Sequence, residues 1–122
     1  MVRVITVDDH APFLEVAHEL MDATPGFESA GEVGSAEAGL AAIEAQDPDL
    51  VLVDIHMPGM TGIEMSRRIS DSGEAPVVVL ISAQDLAQLP ADAHRCGAAE
   101  VISKQELKPA TLERLWHAYG SA

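Results

Sequence analysis

The chain has 122 residues, the length of one domain, and 48% of them are apolar but only 3% aromatic. The core must therefore be built from Val, Ile, Leu and Ala, which suits buried parallel strands covered by Ala-rich helices. Twenty acidic residues against seven basic ones give a formal net charge of −13, which repels a nucleic-acid backbone and argues against direct nucleic-acid binding by this chain.

Cys96 is the sole cysteine, so no internal disulfide forms, in keeping with a reducing compartment. Met1 leads straight into Val2-Arg3-Val4-Ile5-Thr6-Val7, without the charged segment and apolar stretch of a signal peptide. No apolar run approaches the ~20 residues of a membrane span. The expected location is the cytoplasm, with no membrane partner.

Along the chain, short β-branched runs alternate with helical spacing. Residues 2–7 predict a strand. Residues 11–23 predict a helix with Phe13, Leu14, Ala17, Leu20 and Met21 on one face; Pro12 is tolerable in its first turn. Residues 27–33 predict a weaker strand, interrupted by Gly31. Residues 36–45 predict an Ala-rich helix closed by Asp47-Pro48. Leu50-Val51-Leu52-Val53 is a continuous apolar run, as in a central parallel strand. Met57-Pro58-Gly59 predicts a loop, residues 62–72 a third helix, and residues 76–81 another fully apolar strand.

Residues 85–96 take the place of a fourth helix, although Pro90 lies inside it and should break or shorten it. Gly97 suits its end. Residues 100–103 predict a last short strand, and residues 109–119 a last helix. Gly120-Ser121-Ala122 reads as a frayed end or the start of a linker. Five strands alternating with five helices, joined by right-handed crossovers, imply one α/β domain over residues 1–122: a doubly wound parallel sheet, flavodoxin-like, in the order 2-1-3-4-5.

Such sheets form sites at the carboxyl ends of their strands, where the strand order reverses. Asp8 and Asp9 follow the first strand and Asp54 follows the third, its neighbour at that reversal. Three carboxylates so close repel one another unless protonated or bridged by a cation. A hard cation with oxygen ligands, Mg²⁺ or Mn²⁺, is the natural neutraliser. It would also screen an incoming phosphoryl group, which would let Asp54 act as a nucleophile toward phosphorus. Ser82 and Lys104 follow the fourth and fifth strands and, with the backbone N–H of Ala83, supply donors for phosphoryl oxygens. Singly, each residue also has an ordinary reading: Asp8 or Asp9 as a helix cap, Ser82 as a turn residue, Lys104 as a solvated charge.

The motifs Asp8-Asp9, Asp54-Ile55-His56-Met57-Pro58-Gly59-Met60-Thr61-Gly62, Ser82-Ala83 and Lys104 make the chain resemble a bacterial two-component response-regulator receiver domain from Val2 to about Tyr119. The resemblance implies that Asp54 takes a phosphoryl group from a histidine kinase or phosphotransfer protein. It implies Mg²⁺ ligation by Asp9, Asp54 and the main-chain carbonyl of His56, with Asp8 acting through water. Ser82 and Lys104 then contact the phosphoryl group, and His56 and Gln84 stand at positions that tune its loss.

Three departures from the family pattern are present. Val101 replaces the aromatic residue three positions before the lysine, Gln105 replaces the Pro that often follows it, and Pro90 interrupts the fourth helix. The missing Pro is common in the subclass with a C-terminal helix-turn-helix effector, and no cis bond is expected there. Loss of the aromatic and of the helix predicts a loose segment and an unusual or weakly coupled output; plain core packing is the alternative for Val101.

Pro12, Phe13 and Val16 lie where a kinase could dock, though Phe13 reads foremost as core. Trp116 and Tyr119 suit a homodimer face or, more ordinarily, closure of the core. Cys96 reads as a buried helix-end residue. A flavin-binding relative of the fold would need a phosphate loop and stacking aromatics, and a dehalogenase-type phosphatase an Asp-x-Asp after the first strand; both are missing. The remaining rival is a pseudo-receiver, an interaction module independent of phosphorylation.

Overall fold

The structure, a computed structural model, describes residues 1–73 and 76–120. These residues form five strands: β1 (Val2–Val7), β2 (Phe27–Val33), β3 (Leu50–Asp54), β4 (Val77–Ser82) and β5 (Glu100–Ser103). All pairings are parallel, in the order β2-β1-β3-β4-β5. Strand order therefore reverses between β1 and β3, as the alternating pattern implies. The reading of Ser121 and Ala122 as a frayed end or linker lies outside the described residues.

Among the described residues four α-helices flank the sheet: α1 (Ala11–Ala23), α2 (Ala36–Gln46), α3 (Gly62–Asp71) and α4 (Pro109–Tyr119). Ser35 and Thr61 start α2 and α3 by accepting the N–H groups of Ala38 and Glu64 with their hydroxyls. Asp47, with φ +48°, closes α2 in the left-handed conformation ahead of Pro48.

The expected fourth helix, over residues 85–96, is not formed. Two single 3₁₀ turns, Leu86–Gln88 and Ala91–His94, take its place. Pro90 has no N–H to give and forces the residue before it out of the helical region. Leu89 accordingly has ψ 150°, and Pro90 itself ψ 145°. The connection is held to the rest by a few points: Ala93 and Cys96 are buried, Ser66 Oγ donates to the Cys96 carbonyl at 3.1 Å, and Arg67 pairs with Asp92 at 3.2 Å.

Alternate strand residues feed two cores, because successive side chains point to opposite faces. Ile5, Val7, Val51, Val53 and Leu80 pack with Ile43 of α2 and Ile63, Met65 and Ile69 of α3. Val4, Leu50, Leu52, Val79 and Ile81 pack with Met21 of α1 and Leu112 and Leu115 of α4. All of β3 is buried, which explains its unbroken apolar run. Val101 lies half-buried against the first core, the plain packing role, and Trp116 lies half-buried against the second. Tyr119 is exposed and donates its hydroxyl to Glu100 at 2.7 Å. Among the described residues no helix is long and apolar enough to cross a membrane.

Candidate functional site

The carboxyl ends of β1 and β3 bring Asp8, Asp9 and Asp54 together. One carboxylate oxygen of each lies within 4.8 Å of the others. Neighbouring register explains this, since Val7 at the end of β1 pairs with Val53 of β3. Asp8 is fully buried, Asp54 is 6% exposed and Asp9 is open to solvent. Neither Asp8 nor Asp9 takes the capping position of α1, which belongs to His10 and has no side-chain cap. Asp8 Oδ1 instead accepts the N–H of His10 at 2.9 Å.

The other oxygen, Asp8 Oδ2, is buried and takes no hydrogen bond of normal geometry; it faces the Lys104 ammonium as an ion pair at 2.5 Å. Lys104 stands at the end of β5 with its side chain 16% exposed, and its Nζ is 3.8 Å from Asp54 Oδ2. Burial is the main force pushing the Asp54 carboxyl up, to about 6, with the charge of Asp8 second; Lys104 and the His56 N–H pull the other way. An oxygen-rich cluster of three carboxylates, two of them buried, fits a hard divalent cation.

Two loops shape the mouth. After β3, the His56 N–H points to Asp54 Oδ1 at 3.4 Å. Gly62 lies against the Asp54 carbonyl: a Cβ there would sit 2.2 Å from that oxygen. At the end of β4, Ser82 is fully buried and its Oγ accepts the N–H of Gln84, in the loop that follows, at 3.0 Å. Asp54 pairs with Ile81, so Ser82 is one step beyond it on the neighbouring strand. Ala83 is exposed at the same rim. Side chains of the two loops meet, with His56 Nε2 2.9 Å from Gln84 Oε1. Val101 does not join this group; it pairs with Leu80, short of the sheet's end.

One contact at the site carries no signal in the sequence. The ring of Phe13 lies under the Lys104 ammonium, 4.5 Å from Nζ to its centroid. Its helical spacing reads as core, and it does contact the second core. The lysine that reaches it comes from the far end of the chain, which periodicity does not reveal.

Residues 4–116 match the family model described as "response regulator receiver domain". The chain belongs to that family. Phosphorylation and Mg²⁺ are typical of such receivers in two-component signalling. Among curated proteins, the receiver is 36% identical over 107 residues to protein-glutamate methylesterase/protein-glutamine glutaminase 5 of Anaeromyxobacter dehalogenans, covering 87% of this chain and 30% of that protein. It is 35% identical over 125 residues to the enzyme of the same name from Myxococcus xanthus, covering 98% of this chain and 34% of that protein. The receiver thus spans about a third of the length of the curated relatives it matches.

Among solved structures, the signal receiver domain of NarL from Mycobacterium tuberculosis superposes with a TM-score of 0.87 at 29% identity, covering 97% of this chain and 95% of that one. The response regulator domain of Thermotoga maritima CheB gives 0.84 at 25% identity, covering 98% and 96%.

Proposed function

We propose that this receiver is a phosphoryl-accepting switch in which Asp54 is the acceptor. The observation that carries this reading is the meeting of Asp8, Asp9, Asp54 and Lys104 at the carboxyl ends of β1, β3 and β5, three carboxylates within 4.8 Å and one ammonium beside two of them. The donor is the phosphohistidine of a histidine kinase or phosphotransfer protein. An Asp54 carboxylate oxygen forms a bond to phosphorus as the N–P bond breaks; with the donor ring protonated on its other nitrogen, it takes the bonding pair and leaves as neutral imidazole.

Asp8, Asp9, Asp54 and the His56 carbonyl are the groups that would hold Mg²⁺ or Mn²⁺. Bound there, the cation neutralises the carboxylates and the phosphoryl oxygens. Lys104 supplies a compact positive charge for a phosphoryl oxygen, and the Ser82 hydroxyl and the Ala83 N–H supply hydrogen bonds. His56 and Gln84 govern access of water. In this reading the chain is a single cytoplasmic switch domain that catalyses only the gain and loss of its own phosphoryl group. The activity named for its longer relatives is not assigned to it.

Incubation with Mg²⁺ and phosphoramidate, followed by intact-mass measurement, tests the assignment. One phosphoryl adduct is expected on the native chain and none on Asp54→Asn. An unmodified native chain would instead support the pseudo-receiver reading. That reading draws its support from Val101, which gives the family's switch position no ring to move.

A further inference from the structure

Three groups surround the Lys104 ammonium. Asp8 Oδ2 lies 2.5 Å from Nζ, Asp54 Oδ2 3.8 Å, and the centroid of the Phe13 ring 4.5 Å. The last distance is well inside the ~6 Å over which an aromatic face attracts a cation. Phe13 is the fixed member of the contact. It sits in the first turn of α1, where Pro12 pre-sets the backbone, and its N–H donates to the His10 carbonyl at 3.0 Å. Its ring is half-buried against the core beneath α1. Lys104 is the mobile member, a point charge on a flexible four-carbon stem.

We propose that Phe13 is a positioning residue for Lys104, keeping the ammonium over the site when the carboxylates no longer hold it. This inference rests on the acceptor reading of Asp54. The two carboxylates that attract Lys104 are also the groups a divalent cation takes. Once their charge is matched, their pull on the ammonium weakens. The ring of Phe13 is neutral, does not compete for the cation and keeps its attraction. The lysine therefore stays beside Asp54, where a phosphoryl oxygen arrives, instead of swinging into solvent. A leucine of similar bulk would fill the same space without an electron-rich face.

The chain has two lysines, Lys104 and Lys108, so the contact is open to direct observation. In protein carrying ¹³C-labelled lysine, the Lys104 ε-methylene signals are those lost in Lys104→Arg. An ammonium over a ring face places them upfield of the Lys108 signals, with and without Mg²⁺. Phe13→Leu is expected to return them to the Lys108 position and to slow phosphorylation by saturating phosphoramidate and Mg²⁺ roughly three- to tenfold. Phe13→Tyr, which keeps the ring, should preserve both. If the leucine variant does not fold, Phe13→Met carries the same expectation.

Unshifted Lys104 signals in the native Mg²⁺-bound protein overturn the inference. So does a leucine variant whose signals and rate match those of Phe13→Tyr, even with a lowered Tm, for Phe13 is then packing alone. A native chain that takes no phosphate overturns the acceptor reading and this role with it. A phosphorylated native chain with an indifferent leucine variant overturns this role alone.

Discussion

His56 Nε2 and Gln84 Oε1 lie 2.9 Å apart and join the loops after β3 and β4 across the mouth of the acidic site. Ser82 is tied to the same strap, since its Oγ accepts the Gln84 N–H at 3.0 Å. In the function proposed above, this pair governs access of water to a phosphoryl group on Asp54. We expect His56→Ala and Gln84→Ala each to speed loss of the phosphoryl group by roughly two- to fivefold, the weight of one exposed hydrogen bond. The double variant should add little to either single one, because the same contact is broken in all three. Decay of the intact-mass adduct after donor removal measures this. Fully additive effects would show that the two side chains act separately.

Asp54 gives the fold a pH dependence whose sign follows from its surroundings. Burial and Asp8 raise its carboxyl from 3.8 to about 6. The folded state thus binds this proton more tightly than the unfolded chain does. Its contribution to stability is full below about pH 4 and is lost as pH rises through about 6. With EDTA present, Asp54→Asn should therefore raise Tm at pH 7 by about 3 °C and much less at pH 4, equivalent to about 1 kcal/mol once solvent screening at the mouth is allowed for. Mg²⁺ should stabilise the native chain at pH 7 and do far less for Asp54→Asn. Calorimetry at the two pH values decides; an asparagine variant less stable than the native chain at pH 7 would contradict this account.

Gly62 is required by space, not by an unusual backbone angle. A Cβ on it would stand 2.2 Å from the Asp54 carbonyl oxygen and 2.9 Å from the carbonyl carbon. Both are backbone atoms of the strand that delivers Asp54, so the strand end or the start of α3 must move. We expect Gly62→Ala to cost about 1–3 kcal/mol in denaturant unfolding and to slow phosphate capture as well. Gly34→Ala is the control, because its Cβ would meet nothing nearer than the Asp8 carbonyl at 4.0 Å. Equal stability of the two variants would remove the steric explanation.

These residues also show how far a sequence can be read. Residues 50–53 announced a buried central strand because each side chain is apolar, and the order of strands then placed Asp54 beside Asp8 and Asp9. The three residues between Asp54 and Pro58 are too few to hide the acidic end of that strand. By contrast, the His56–Gln84 contact lies between two loops, and loops have no period. The Phe13–Lys104 contact was hidden for another reason: Phe13 serves the core and the site at once, and only the first role leaves a helical spacing. Pro90 did signal a broken helix, but the strict alternation of elements still implied that some of it would survive.

The broken helix leads to the last expectation. Between Asp85 and Arg95 the internal backbone bonds run three residues back: Gln88 to Asp85, Ala93 to Pro90 and Arg95 to Asp92, each at 3.0 Å. Isolated 3₁₀ turns are weak, and most side chains from residue 83 to 92 are exposed, so little apolar burial resists local opening. Amides from Asp85 to Ala93 should exchange at least about a hundredfold faster than those of β3 and β4, a gap of roughly 3 kcal/mol in opening free energy. Phosphorylation of Asp54 should change exchange here most, because the segment begins three residues after Ser82. Pro90→Ala restores an N–H and removes the clash, so it should raise helical circular dichroism and slow exchange over the same residues. Strong protection of this segment in the unphosphorylated native chain would mean that contacts with α3, such as Arg67–Asp92, hold it firmly. The surface could then not act as a loosely coupled output.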